Sequence, residues 1–123
     1  LELAAREGVT VVFTTDHGSI LCRRPVTVFA RRDATANLRY KFGNDLRAED
    51  PSAVYAMNDE RALRFPEGPM ATNYLFALED CFFVYPTKLR EYQARYRGSF
   101  LHGGVSPEEM ILPVAVLTPR ASR

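Results

Sequence analysis

Cysteines, histidines and long apolar runs are all scarce in this sequence. Its 123 residues include two cysteines and two histidines. Cys22 and Cys81 are too few for a disulfide scaffold or a cysteine-based zinc finger, and they fit a reducing compartment best. No apolar run approaches the ~18 residues that a membrane span needs. These absences predict a cytoplasmic domain that has no membrane partner.

Strong charge of either sign is also missing. The formal net charge is +1, and charged residues make up 25% of the chain. This composition excludes intrinsic disorder as the main state and gives no overall signature of nucleic-acid binding. The first residues carry charges and lack the apolar core of a signal peptide. The length fits one domain, or part of a larger one.

The start of the chain predicts an α/β fold. Residues 1–7 have the pattern of a helix end, with Gly8 as its C-cap. Residues 9–14 are β-branched and nearly apolar on both faces, which is typical of a central strand in a parallel sheet. A helix followed at once by such a strand is the second half of a βαβ unit. We therefore expect partner strands upstream, with an independent small domain as the alternative.

Further elements follow from periodicity and turn residues. Glu79 and Asp80 separate two apolar runs and predict a hairpin. Leu89, Tyr92 and Tyr96 share one face of a predicted helix. Ser106, with Glu109 three residues later, has the pattern of a helix start. The predicted strands are residues 25–30, 53–57, 74–78, 81–85 and 110–117, and the predicted helix is 87–97.

Asp16 and His17 are the first candidate metal ligands. They follow the carboxyl end of an apolar strand, where ligand sites form in open α/β sheets. A carboxylate oxygen and an imidazole nitrogen are both standard ligands of Zn²⁺. Gly18 lets the chain leave the site without a Cβ clash. The alternative is that Asp16 begins a turn and His17 is solvated.

His102 is the second histidine of the chain, and two glycines follow it. Those glycines allow a close approach of the backbone, although they also suit an ordinary surface turn. Asp16, His17 and His102 could serve one metal as three ligands plus water. They could also be divided between two metals, with the missing ligands upstream.

A basic stretch runs from Arg23 to Lys41 and contains six cations and one acid. Within it, Arg39 and Lys41 alternate with Tyr40. Arginine and lysine suit phosphate, and tyrosine can stack on a base. A solvated basic face is the alternative for most of these residues. The sequence contains no recognisable helix-turn-helix that would support direct DNA binding.

Several segments resemble the C-terminal part of PglZ domains. They are residues 13–18 (FTTDHG), 37–41 (NLRYK), 79–86 (EDCFFVYP) and 100–110 (FLHGGVSPEEM). The likeness extends from about residue 9 to residue 117 and is closest to PorX-type response regulators. PglZ domains belong to the alkaline phosphatase superfamily. The resemblance therefore implies that residues 1–123 are the C-terminal part of an α/β domain with a mainly parallel central sheet, incomplete in this chain.

The resemblance also implies a two-zinc phosphoryl-transfer site, with Mn²⁺ as the alternative ion. Asp16 and His17 match the ligands of one metal, and His102 matches a ligand of the other. The nucleophile and the remaining ligands are expected upstream, so the chain alone should be inactive. Arg39 and Lys41 are expected to steady a phosphate-rich substrate by charge.

The implied parent protein is a zinc phosphodiesterase acting on nucleotide phosphodiesters, such as an oligonucleotide or a cyclic nucleotide. Its expected partners are an upstream receiver domain, a sensor kinase and a second copy in a homodimer. The alternative is a non-catalytic signalling module of a response regulator. Chelation separates the two, because only the enzyme would lose its activity.

Overall fold

Ten short strands and three α-helices make up the part of the chain that a computed structural model describes, residues 1–30, 35–58 and 73–119. The helices are α1 Glu2–Arg6, α2 Leu89–Tyr96 and α3 Pro107–Met110. The strands are β1 Val11–Phe13, β2 Ile20–Cys22, β3 Arg24–Phe29, β4 Tyr40–Gly43, β5 Arg47–Ala48, β6 Val54–Met57, β7 Asn73–Ala77, β8 Cys81–Val84, β9 Ser99–Leu101 and β10 Ala115–Leu117. None of the helices in these ranges is long and apolar enough to cross a membrane.

Two three-stranded sheets form the centre of the fold, in the orders β5-β3-β8 and β4-β7-β6. Residues 38 and 39 connect the two sheets through backbone hydrogen bonds. The amide of Ala77 at the end of β7 donates to Arg39 O at 2.8 Å, and the amide of Phe83 in β8 donates to Leu38 O at 2.8 Å. The segment that leads into β4 therefore lies between β7 and β8.

This insertion corrects the predicted hairpin. Both strands exist almost as predicted, but β7 pairs with β4 and β6, whereas β8 pairs with β3. Both strands are almost wholly buried, so each needs neighbours on both sides. Glu79 and Asp80 lie between two apolar runs in the sequence. This pattern alone does not indicate that another segment lies between the two strands.

The predicted mainly parallel sheet also needs correction. Among the described residues only β3 and β8 run parallel, with Val26 paired to Phe83. The other strand pairs are antiparallel. The described part of the chain is thus a mixture of helices and several small sheets.

The first strand differs most from its prediction. It is shorter than expected, Val11–Phe13, and it pairs antiparallel with β10 in a two-stranded ribbon. Val12, Phe13 and Val116 are 58%, 50% and 58% exposed. The apolar pattern of residues 9–14 correctly predicts a strand, but the described residues do not bury it.

The buried core lies on the two central sheets. One cluster joins β3, β6, β7 and β8, and includes Val28 and Phe83. A second cluster is covered by α2, which confirms the predicted helical face. In that cluster Leu89, Tyr92 and Tyr96 pack against Cys22, Phe82 and Val84.

Phe83→Ala should destabilise the fold strongly. Phe83 is 1% exposed, and truncation of a buried phenylalanine costs about 3–5 kcal/mol. Phe100→Ala is the control, because Phe100 is 69% exposed and should change the free energy of unfolding by less than about 0.5 kcal/mol. Urea unfolding of both variants measures the difference. Equal losses of stability would contradict this account of the core.

Candidate functional site

One strand pair brings the two histidine-containing loops together. Residues 14–19 precede β2, and residues 102–105 follow β9. The two strands are antiparallel, with Ile20 opposite Leu101. The residues just before Ile20 and just after Leu101 therefore leave the ribbon at the same end.

The two imidazole rings stack. The centroids of the His17 and His102 rings are 3.8 Å apart, and their planes differ by 10°. Nδ1 of His17 lies 2.9 Å from the carbonyl oxygen of Gly18. Because a carbonyl oxygen only accepts, this contact places a hydrogen on Nδ1 and leaves Nε2 as the ring nitrogen that can bind a ligand.

Asp16 and His17 are close enough to share a metal ion. Asp16 Oδ1 lies 3.8 Å from His17 Nε2. Two donors that each lie about 2.0–2.1 Å from zinc can be at most about 4.2 Å apart, so this pair fits one ion. Each ring nitrogen has its lone pair in the plane of its own ring. Two stacked rings therefore suit two neighbouring ions better than one shared ion.

The three candidate ligands do not make a complete site. Within residues 1–30, 35–58 and 73–119, no group of three or more histidine, cysteine, aspartate or glutamate side chains is arranged to hold a metal. The side chains of His17 and Asp16 are 46% and 90% exposed. Their role as metal ligands stays a prediction.

Beneath the two loops lies a buried ion pair. Arg39 is 0% exposed, and Glu109 is 5% exposed. The guanidinium donates from Nε to Glu109 Oε1 at 2.9 Å and from Nη2 to Oε2 at 2.8 Å. Its Nη1 donates to the carbonyl oxygen of Cys81. This bidentate contact ties α3 to the central sheets across 70 positions of sequence.

The same carboxylate also holds backbone of the second loop. The amide of Gly104 donates to Glu109 Oε1 at 2.9 Å, and the amide of Ser106 donates to Oε2 at 3.3 Å. Burial alone raises the pKa of Glu109, but the hydrogen bonds from Arg39 and these amides outweigh it and leave that pKa below its usual value. Glu109 is therefore a carboxylate at neutral pH.

A groove of about 930 Å³ lies beside the second loop and the start of α3. Its lining includes Arg24, Glu79 and Asp80, and both carboxylates pair with Arg24. Neither His17 nor His102 lines this groove, although Val105 at the end of the second loop does. The groove thus borders the second loop without including the candidate metal ligands.

A family model described as the BREX system PglZ alkaline phosphatase-like domain matches residues 1–117. The chain belongs to the PglZ family. This confirms the family predicted from the sequence and, with it, an alkaline phosphatase-like domain of phosphoesterase type. No curated protein matches the chain.

Within this PglZ domain, Arg39 and Lys41 are buried, at 0% and 1% exposed. Their role in steadying a substrate by charge stays a prediction. Lys41 Nζ donates to Thr35 O at 2.5 Å and lies 4.8 Å from the centre of the Tyr85 ring. Both cations contact partners inside the chain, so the function proposed below does not use them to bind phosphate. Arg31 and Arg32, also in the basic stretch, lie outside the described residues.

Glu109 is the residue whose importance the sequence did not reveal. Its spacing from Ser106 correctly predicts the start of α3 and the hydrogen bond that its side chain accepts from the Ser106 amide. That spacing accounts for its contact with the Ser106 amide but not for its pairing with Arg39. A glutamate that is read as a helix cap is expected at the surface, and only the tertiary fold shows it buried beside a distant arginine.

Lys41 should make the stability of the PglZ domain rise with pH in the alkaline range. Burial lowers the pKa of Lys41 to about 8, against about 10.4 in the unfolded chain. Between these values the unfolded state binds more protons than the folded state, so the free energy of unfolding increases with pH. Lys41→Met removes this contribution, whereas Lys88→Met removes an exposed lysine as the control.

Urea unfolding from pH 7 to 10 tests this prediction. The buried Cys22 thiol, with its pKa raised by burial to about 11, contributes the opposite slope. The informative quantity is therefore the difference between wild type and Lys41→Met. That difference should move in favour of wild type as pH rises, and a constant difference would contradict the assignment.

Proposed function

We propose that this PglZ domain contributes metal ligands to a phosphoryl-transfer hydrolase that uses two Zn²⁺ ions. Asp16 and His17 hold one ion, and His102 holds the other. The observation that supports this most directly is the stacked pair of histidines, with Asp16 Oδ1 within ligand-sharing distance of His17 Nε2. The two histidines of the chain meet at one point although they are far apart in sequence.

The ions, when bound, stabilise the negative charge that develops on the phosphoryl oxygens. The residues of this chain hold and orient them. The Asp16 carboxylate supplies negative charge, and both imidazoles supply neutral nitrogen ligands. The hydrogen bond between His17 Nδ1 and Gly18 O fixes the ring orientation and leaves Nε2 as the ligand, as outer-shell partners do in known metal sites.

The rest of the site is proposed to come from upstream residues of the same protein. Zinc sites use three or four protein ligands for each ion, and three donors cannot satisfy two ions. The hydroxyl nucleophile belongs to that upstream part as well. The exposed apolar ribbon of β1 and β10 supports this view, because two-stranded ribbons are marginally stable unless other elements cover them.

The proposed substrate is a nucleotide phosphodiester, and the proposed setting is a cytoplasmic response regulator with a receiver domain. Both depend on the resemblance to PorX-type proteins rather than on the geometry. Comparing bis(para-nitrophenyl) phosphate with para-nitrophenyl phosphate as substrates of the full-length protein separates diester from monoester activity. Faster turnover of the monoester would overturn the diester assignment.

Loss of any of the three ligands should weaken zinc binding. We expect His17→Ala, His102→Ala and Asp16→Asn to reduce zinc affinity in the full-length protein by more than the ~10–100-fold that an outer-shell change costs. Competition with a chromogenic chelator measures the affinity. Glu91→Gln is the control, because it removes an exposed carboxylate of α2.

Diesterase activity should fall together with zinc affinity and return when zinc is restored after chelation. Mn²⁺ is the second ion to test, since mixed oxygen and nitrogen ligands accept both. Wild-type zinc affinity in all three variants would overturn the ligand assignment. Activity that survives complete chelation would overturn the metal mechanism.

A further inference from the structure

We infer that Arg39 and Glu109 are positioning residues that hold the Asp16–His17 loop and the His102 loop in register for metal binding. The inference rests on the function proposed above. It concerns two residues that touch neither metal nor substrate and that act through the backbone of both loops.

Glu109 contacts both loops. Its side chain accepts hydrogen bonds from the amides of Gly104 and Ser106, just after His102. Its backbone carbonyl accepts a hydrogen bond from the amide of Gly18, next to His17, at 3.0 Å. One residue thus fixes the backbone on both sides of the stacked rings.

Arg39 connects Glu109 to the centre of the fold. Its carbonyl accepts from Ala77 of β7, and its Nη1 donates to the carbonyl of Cys81 of β8. Its own amide donates to Asn37 Oδ1 at 2.7 Å. The position of the guanidinium is therefore set by both central sheets, and the bidentate contact transmits that position to Glu109.

The glycines beside the ligands leave room for this contact. A Cβ at Gly104 would lie 2.6 Å from Glu109 Oε2 and 3.1 Å from Arg39 Nε. A Cβ at Gly18 would collide with the carbonyl oxygen of Glu108. The second loop therefore approaches the ion pair, and the first loop approaches the backbone of α3, more closely than a residue with a side chain could.

A buried ion pair is an expensive way to gain stability, because both charges lose their hydration. Its advantage here is that it fixes the orientation of the Glu109 carboxylate. Two parallel N–H···O bonds set both the distance and the plane of a carboxylate, which packed apolar side chains do not do. Small displacements of the supporting residues are known to weaken metal binding.

Glu109→Gln in the full-length protein tests the inference. It keeps the size of the side chain and removes the charge. We expect zinc affinity to fall about 10–100-fold in protein that remains folded by circular dichroism. We also expect weaker nuclear Overhauser contacts between the rings of His17 and His102. Glu79→Gln is the matched control, since it takes a carboxylate from the exposed pair with Arg24.

Gly104→Ala provides a second variant that keeps every charge. Its Cβ must displace the Glu109 carboxylate, so it should weaken zinc binding in the same direction. If Glu109→Gln does not fold, the zinc affinity of Gly104→Ala still tests the positioning role. Folded variants that keep wild-type zinc affinity and wild-type ring contacts would overturn the inference, even if their melting temperature falls.

The experiment separates this inference from the proposed function. If the wild-type protein binds no zinc, the proposed function fails, and so does a metal role for the ion pair. If the wild-type protein binds zinc through His17 and His102 but neither variant changes the affinity or the ring contact, only the positioning role fails.

Discussion

The buried contact between Arg39 and Glu109 is the interaction that joins α3 and the loop after β9 to both central sheets. Both charged side chains are almost completely buried, and an unpaired buried charge is strongly unfavourable. Each is instead saturated with partners from the sheets, from α3 and from the loop after β9. Removing one partner of such a pair commonly costs about 3–5 kcal/mol, because the other charge is left buried and alone.

The path of the backbone explains how the arginine reaches its partner. Residues 38 and 39 are inserted between β7 and β8, and the carbonyl of each accepts a hydrogen bond from a different strand. The side chain of Arg39 consequently starts from the middle of the molecule. The pairing of β2 with β9 brings the two loops together, and Glu109 makes hydrogen bonds with the backbone of both. The exposed candidate ligands of the alkaline phosphatase-like domain thus lie on buried supports.

Local sequence patterns were good predictors of individual elements. The apolar face of α2, the capping box at Ser106, and the strands near residues 25–30 and 53–57 all follow from periodicity and capping. The pairing of the strands was harder to predict. Two neighbouring apolar runs have the pattern of a hairpin, but a segment from much earlier in the chain lies between the two strands. β4 lies in a stretch with an irregular polar pattern. Because Lys41 is charged, the sequence indicated an exposed segment there, whereas the structure buries this lysine.

For the candidate site, the sequence singled out His17 and His102, and the structure brings their rings into contact. It could not show that Arg39 is internal, because a basic run normally indicates a solvated face. The family follows from motifs in sequence order, and the matched family model confirms it. Metal, substrate and the setting of the parent protein go beyond that match and stay predictions.

The most direct test of the central claim is anomalous X-ray scattering at the zinc edge from crystals of the full-length protein. The account predicts two peaks about 3.5–4 Å apart, one beside Asp16 and His17 and the other beside His102. A structure with zinc present in the crystal and no anomalous peak within bonding distance of either histidine would contradict it.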